Sequence, residues 1–480
     1  MTKLTRRELL AAALPLIPVR RAWSAQRPNI LFVLTDDQAS WSVGAAGNRQ
    51  AHTPNTDRLY RQGAELRNYF VTTPVCSPSR ASLLTSRYAT EVGVTDFLSF
   101  EKGEKAGLSP AFVTWAELLQ RAGYRTGLIG KWHLGSLPEH HPTRHGFQYF
   151  AGFVTGATGP MDPPLEIDGV VKQFRGSTPD ILTGMAIDYI RRNQRVPFSL
   201  CLNLREPHAS NAPESDSKER TWLPMPDEDW APFRNLDPQI PNPDYPDLDV
   251  PRVKRMMREY LASVASIDRN LGRLLAALEE LGLERNAVVI FSSDNGFNIG
   301  HNGIWHKGNG RWILTNNRAE RINLYDNSLR VPAVVRWLGM IKPGTVRAET
   351  ITNLDWFPTI LAMAGVGLPP STIRGRNFLP LLKGESPRWN NDLYAEYKTV
   401  SPQTTPADLR MWRTPEWKIV RDFRNTGRDE LYDLKNDPEE HRNLIGSPDA
   451  RVQNIRKQLN ESLLRTLADL ADPLAARPKE

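Results

Sequence analysis

Four segments of one kind constrain the fold more than anything else in this chain: PNILFVLTDD, RTGLIGKWHLG, PFSLCLNLREPH and NAVVIFSSDNG. Each is an apolar run of strand length that ends in a polar or charged cluster. The runs are apolar throughout rather than alternating, as expected of strands covered on both faces of a mostly parallel sheet. Helical patterns lie between them. TPNTDRLYRQGAEL reads as a helix with Asn55 or Thr56 near its cap. The clearest helix runs from about Pro251 to Leu281: Val253, Met256, Met257, Tyr260, Leu261, Val264, Ile267, Leu271, Leu274, Leu275 and Leu278 recur every three or four residues. Pro251 suits its first turn and Gly282 its stop. This helix is expected to be scaffold. Strands alternating with helices make the fold class α/β.

The 480 residues suffice for one large domain and a smaller one. Past about Gly367 the composition shifts. Two short strand-like runs, WKIVRDF and DELYDL, precede a helical stretch near 449–471. The expected division is 26–370 for the main domain and 371–480 for a small C-terminal α+β subdomain. Ala209–Val250, rich in Pro, Asp and Trp, is a long excursion of the kind that covers a site. A second insertion, Gly308–Leu324, carries Arg311, Trp312, Arg318 and Arg321.

The N-terminus opens with TRRELL and an apolar run to Val19, the pattern of a twin-arginine export signal occupying residues 1–25. The run is too short to span a bilayer and holds two prolines, so no membrane span is expected. Residues 1–24 carry +4 of the formal +7, leaving +3 for the mature chain. That charge is too mild to argue for nucleic acid. Cys76 and Cys201 are the only cysteines, and an exported chain could pair them. Cys201, within PFSLCLNL, reads instead as a buried strand residue.

Ligands of open α/β sheets bind at the carboxyl edge. Four such edges here offer Asp36 with Asp37, Lys131 with His133, His208, and Asp294 with Asn295. An Asp-Asp pair alone is usually a cap or a turn. Joined to a second Asp-Asn pair it becomes an all-oxygen set, suited to calcium or magnesium rather than zinc. In VCSPSRASLLTSR, Ser77 resembles an N-cap and Pro78 a first-turn residue, which puts Cys76 at a helix N-terminus. Free N–H groups there, and Arg80 one turn on, favour a tetrahedral anion. The set suggests sulfuryl or phosphoryl transfer. The plain alternative for Cys76 alone is a buried thiol.

Cys76-Ser77-Pro78-Ser79-Arg80 resembles the C-x-P-x-R core of the formylglycine-dependent sulfatases, within the alkaline-phosphatase-like superfamily. NILFVLTDDQ, GYRTGLIGKWHLG, FSSDNG, LYDNSLRVPAVVRW, NLDWFPTILAMAGV and ELYDLKNDPEEHRNL follow that family's order across nearly the whole mature chain. The resemblance implies an α/β/α sandwich with a large mixed, mostly parallel sheet and a short antiparallel C-terminal sheet. It implies a maturase that oxidises Cys76 to formylglycine. It also implies Ca2+, with Mg2+ second, held by Asp36, Asp37, Asp294, Asn295 and the modified Cys76. Arg80 would hold the formylglycine hydrate, and Lys131 and Lys307 the sulfate oxygens. His208 would serve the leaving alcohol, and His133 the breakdown of the intermediate. His306 precedes Lys307 where many relatives have glycine, and Lys307 lies unusually far from Tyr325, so His306 or Arg311 could share its role.

The implied function is removal of sulfate from a sulfated carbohydrate by an exported enzyme, periplasmic or secreted, that leaves through the bacterial twin-arginine machinery. Arg311, Arg318 and Arg321 could grip further anions, and Trp222, Trp230 and Trp312 could stack on sugars; packing and surface solvation are the plain roles. A broad arylsulfatase or a phosphonate monoester or phosphodiester hydrolase could use the same nucleophile. A non-catalytic binder of sulfated glycans would leave Cys76 a thiol. Mass spectrometry of the peptide containing Cys76 separates the binder from the enzymes: an enzyme of this family gives a species lighter than the thiol peptide, and a binder gives the thiol mass.

Overall fold

The computed structural model describes residues 27–99, 105–210, 218–316, 321–370, 373–399 and 405–476. The export-signal residues 1–25 lie outside these. Ten strands form the main sheet: β1 (Asn29–Thr35), β2 (Ala64–Phe70), β3 (Arg125–Lys131), β4 (Tyr149–Phe153), β5 (Pro164–Ile167), β6 (Val170–Gln173), β7 (Phe198–Asn203), β8 (Ala287–Ser293), β9 (Ala333–Trp337) and β10 (Thr345–Thr352). Their order is β10-β2-β9-β8-β1-β7-β3-β4-β5-β6. The run from β8 through β1, β7 and β3 to β4 is parallel throughout. β9 runs antiparallel to both its neighbours, and β5 and β6 close the far edge as an antiparallel hairpin. The sheet is therefore mixed and mostly parallel, as expected.

All seven residues of β1 are buried. Ile30, Phe32 and Leu34 enter one apolar cluster, and Leu31 and Val33 enter another on the opposite face. Successive side chains point to opposite faces of a strand, so a continuous apolar run is what a doubly covered strand requires. The long helix Val250–Glu280 delivers Ile267, Leu271, Leu274, Leu275 and Leu278 to the second cluster. Each buried Leu of this kind contributes about 1.5–3 kcal/mol. Asp249 caps that helix, accepting from the Arg252 N–H at 3.2 Å. The first half of the helix covers the excursion: Trp222 and Trp230 pack with Val253, Met256 and Tyr260. These two tryptophans are core residues, not sugar platforms.

The helix after β1 differs from expectation. It spans Pro54–Gln62 with Thr53 as its N-cap residue, and Ala64–Leu66 belong to β2. The cause is long-range. Asp268 of the long helix accepts from the Asn55 N–H at 3.1 Å and from the Thr56 N–H at 2.7 Å. A distant carboxylate thus satisfies the helix start that Asn55 or Thr56 was expected to cap.

A second sheet of four antiparallel strands contains β11 (Leu393–Thr399), β12 (Ala407–Arg413), β13 (Trp417–Asp422) and β14 (Glu430–Asp433). The helix Ala450–Asp469 packs on it through Leu459, Leu463 and Leu467. Ala395, Tyr397 and Met411 join the same apolar cluster as Phe32 of the main sheet. Buried charge ties the second sheet to the short helix Asp326–Leu329 as well. Asp326 pairs with Arg413 at 2.9 Å and Lys418 at 3.0 Å, and Lys418 also meets Glu440 at 2.5 Å. Removing one partner strands the others in a low-dielectric interior. Asp326→Ala should therefore lower unfolding stability by about 3–5 kcal/mol, read from the shift of the denaturant midpoint.

Candidate active site

β1 and β8 lie side by side and in parallel, so their carboxyl ends meet. Asp36 and Asp37 leave one end, Asp294 and Asn295 the other. Asp37 sits at φ 67°, and this left-handed turn lets adjacent residues aim at one point. Tyr260 holds the turn: its hydroxyl donates to the Asp37 carbonyl at 2.6 Å and accepts from the Ala39 N–H at 2.9 Å. Carboxylate oxygens of Asp36, Asp37 and Asp294 lie within 4.8 Å of one another.

The segment around Cys76 begins its helix earlier than expected. The helix spans Cys76–Thr85 with Val75 as its N-cap residue, because the Ser79 N–H bonds the Val75 carbonyl at 3.1 Å. Ser77 is not the cap. Its hydroxyl accepts from the Leu98 N–H at 3.2 Å. Every residue of this helix is buried. Cys76 and Cys201 are both buried and free, so no disulfide joins them.

Three cations answer the three carboxylates. Arg80 donates Nε to Asp294 at 2.8 Å and Nη1 to the Lys131 carbonyl at 3.1 Å. Lys131 Nζ reaches Asp36 at 2.5 Å. Lys307 Nζ bonds Asp37 Oδ1 and lies 2.8 Å from Cys76 Sγ. Asp36 Oδ1 is 3.5 Å from that sulfur. Burial alone would raise Asp36, but Lys131, then His208, Lys307 and Arg80, holds it well below the ordinary carboxylate range. Burial pushes Asp37 up to about 6, with Lys307 opposing and Asp36 and Asp294 adding to the rise. Burial, reinforced by Asp36, pushes the Cys76 thiol up to about 12. An unmodified Cys76 is therefore a protonated thiol at neutral pH and a poor nucleophile.

The donor set fits a divalent cation. Asp37 Oδ2 and Asn295 Oδ1 are buried and have no hydrogen-bond partner among the described residues. Orphaned buried oxygens of this kind are costly unless an ion or water meets them. With the oxygens of Asp36 and Asp294 they form the all-oxygen environment a hard cation wants.

Both histidines have a defined tautomer. His133 Nε2 lies 2.9 Å from the Leu98 carbonyl, which only accepts, so Nε2 carries the proton and Nδ1 is basic. His208 Nδ1 donates to the Ala209 carbonyl at 2.8 Å, leaving Nε2 4.0 Å from Asp37 Oδ2. Burial holds both rings well below the ordinary histidine range. Asn203 joins Arg80 in donating to the Lys131 carbonyl, at 2.9 Å, which fixes the end of β3 just before His133.

A cleft of about 760 Å3 opens above this cluster. Cys76, His133, His208, Lys307, His306 and Arg311 all line it. Arg321 is elsewhere, paired with Glu430 at 3.2 Å. Arg318 lies outside the described residues. His301 Nδ1 donates to the Asn298 carbonyl of its own turn at 2.5 Å, and its ring lies tilted against Trp41, centroids 5.6 Å apart. Phe97, Leu98, Ser99, Thr155, Trp305 and Asn309 also line the cleft, and none stood out in the sequence. They come from loops with no motif of their own; only the neighbourhood of Trp305 to Lys307 gave a hint.

A family model described as Sulfatase matches residues 28–366. The chain belongs to the sulfatase family. A second model, N-sulphoglucosamine sulphohydrolase C-terminal, matches residues 319–469 of this sulfatase. The N-acetylglucosamine-6-O-sulfatase of Bacteroides thetaiotaomicron is 27% identical over 92% of this chain and 87% of its own. The Mus musculus steryl-sulfatase is 31% identical over 77% and 67%. The ulvan-active sulfatase of Formosa agariphila is 26% identical over 94% and 83%. A solved structure in complex with its substrate D-glucosamine-2-N,6-O-disulfate superposes with a TM-score of 0.80 at 25% identity, covering 95% of this chain and 100% of that one. The family generally uses formylglycine and a divalent metal, and the acidic cluster is a suitable metal site. Ligand binding stabilises a fold by about 2.7 kcal/mol at a hundredfold excess over Kd. Adding a divalent cation back to chelator-stripped protein should raise Tm accordingly, and Asp36→Asn with Asp294→Asn should abolish the rise.

Proposed function

We propose that this sulfatase removes sulfate from a sulfated carbohydrate, using formylglycine made from Cys76 by a maturase and a bound Ca2+. The observation that carries this reading is the setting of Cys76: its Sγ, which marks the place of the oxidised side chain, lies 2.8 Å from Lys307 Nζ on the wall of the cleft. The carbohydrate half is supported by relatives named for N-acetylglucosamine 6-sulfate and ulvan, and by the structural neighbour bound to a glucosamine disulfate. Export through the twin-arginine route, to the periplasm or beyond, and the division at residue 370 belong to the same proposal.

A formylglycine at position 76, once hydrated, would supply an oxygen nucleophile for sulfur and a second hydroxyl for release of sulfate, and Asp36, Asp37, Asp294 and Asn295 would hold the cation. The chain's own residues do the rest. Lys131 and Lys307 place positive charge against the sulfate oxygens, where charge builds in the transition state. The helix N-terminus at Cys76 adds N–H groups to the same anion. Arg80, doubly bound to Asp294 and the Lys131 carbonyl, orients the residue at 76. His208 Nε2 is the leaving-group acid. The ester's negative charge favours protonation of its ring on binding, and the proton then passes to the departing alcohol. His133 Nδ1, basic because the Leu98 carbonyl holds Nε2–H, takes the proton that frees sulfate.

Sulfate release on a panel of sulfated mono- and oligosaccharides beside an aryl sulfate tests the reading. Matured enzyme should release sulfate from a defined sugar, fastest with Ca2+ restored. Cys76→Ala should release none while keeping the wild-type circular dichroism and Tm within a few degrees. Release by Cys76→Ala would sink the nucleophile; release from the aryl ester alone would sink the carbohydrate substrate.

A further inference from the structure

His306 stands where a flexible residue would leave the cleft wall featureless. The segment that carries it is pinned on all sides. Ile304 bridges Trp312 in antiparallel fashion, and the Trp305 N–H bonds the Arg311 carbonyl at 2.9 Å. The Gly308 N–H bonds the Pro74 carbonyl at 3.1 Å, next to the Cys76 helix. Asn298 Nδ2 donates to the His306 carbonyl at 2.6 Å. The ring itself is wedged edge-on against Trp305, centroids 4.6 Å apart, and Phe297, 5.4 Å apart.

One ring nitrogen is already used. Nδ1 bonds the side-chain oxygen of Asn309. That oxygen only accepts, so Nδ1 carries the proton and Nε2 presents a lone pair. Burial, Lys307 and Arg311 keep the ring neutral by holding it well below the ordinary range. The neighbouring groups of the cleft, Lys307 and Arg311, are donors. A sulfate or carboxylate has no proton to offer Nε2, whereas a sugar hydroxyl has.

Building on the carbohydrate reading above, we propose that His306 is a specificity residue that accepts a hydrogen bond from one free hydroxyl of the sulfated sugar ring. The preferred substrate then carries its scissile sulfate and an unsubstituted hydroxyl on the same ring. A second sulfate at that hydroxyl removes the proton His306 needs and sets bulk against a fixed ring. This is a different task from that of Lys307, which already has its place beside Cys76. His306 does not share it.

The test is a deoxy scan. Each ring hydroxyl of the best monosaccharide sulfate is deleted in turn, and kcat/KM is measured for wild type, His306→Ala and His306→Gln. In wild type, one deletion should cost at least about tenfold, the scale of a hydrogen bond made to a desolvated partner. In His306→Ala the same deletion should cost nothing. His306→Gln, whose carbonyl can accept near the position of Nε2, should recover part of the ratio. Because the readout is a ratio between two substrates, a general loss of activity through Lys307 does not enter it. A wild type that shows no costly deletion overturns the proposal, as does a cost that persists in His306→Ala; in both cases the sulfatase reading stands. Failure of wild type to cleave any sugar sulfate while it cleaves the aryl ester overturns the carbohydrate reading and this inference together.

Discussion

Three carboxylates buried at the joined ends of β1 and β8 set the terms for everything around them. Like charges within 4.8 Å cannot all ionise in a protein interior without compensation. Arg80, Lys131 and Lys307 supply it, one to each carboxylate, from three separate parts of the chain. That requirement pulls the helix of Cys76, the end of β3 and the 304–312 segment onto a single point. Asp37 Oδ2 and Asn295 Oδ1 stay without a hydrogen-bond partner among the described residues, which leaves them available to a hard cation.

Around this cluster the backbone decides what each side chain can do. Main-chain carbonyls of Leu98 and Ala209 fix the proton on His133 and His208. Opposite ring nitrogens are held, Nε2 of His133 and Nδ1 of His208, which suits the complementary tasks proposed for the two rings. Leu98 acts twice, since its N–H also holds Ser77 and thereby the start of the Cys76 helix. Asp96, one step before the cleft-lining residues, is anchored by the Tyr397 hydroxyl at 2.8 Å. The small antiparallel sheet thus steadies a wall of the cleft as well as closing the core.

Some of this is written in single stretches of sequence. Continuous apolar runs can only be doubly covered strands, so NILFVLT, GLIG, FSLCLN and AVVIFSS announced the parallel centre of the sheet and the edge where chemistry collects. Cys76-Ser77-Pro78-Ser79-Arg80, with the aspartates and the lysine-histidine pair at strand ends, pointed to an anion site and a hard-metal site, and the structure brings these groups together. These signals are local: a few residues carry the polarity, the conformational bias and the reactive group together. Other expectations failed for the opposite reason. Neither Asn55 nor Thr56 caps its helix, because Asp268 does that work from more than 200 residues away. Ser77 does not cap either, because Leu98 claims its hydroxyl. Of the two roles weighed for Trp222 and Trp230, sugar stacking and packing, both take the second, under their own excursion.

The sequence by itself determined the fold class and the family, since strand patterning and a compact motif are properties of neighbouring residues. Only the tertiary structure decided which nitrogen of His133 and of His208 a carbonyl holds, that Trp305, Phe97 and Asn309 line the cleft, that Asn309 takes the Nδ1 of His306, and that Arg321 pairs with Glu430. Those outcomes depend on backbone geometry and partners set by folding, and no periodicity or spacing along the chain encodes them, whether the partner is the next residue, as Ala209 is for His208, or lies on another element, as Glu430 does for Arg321.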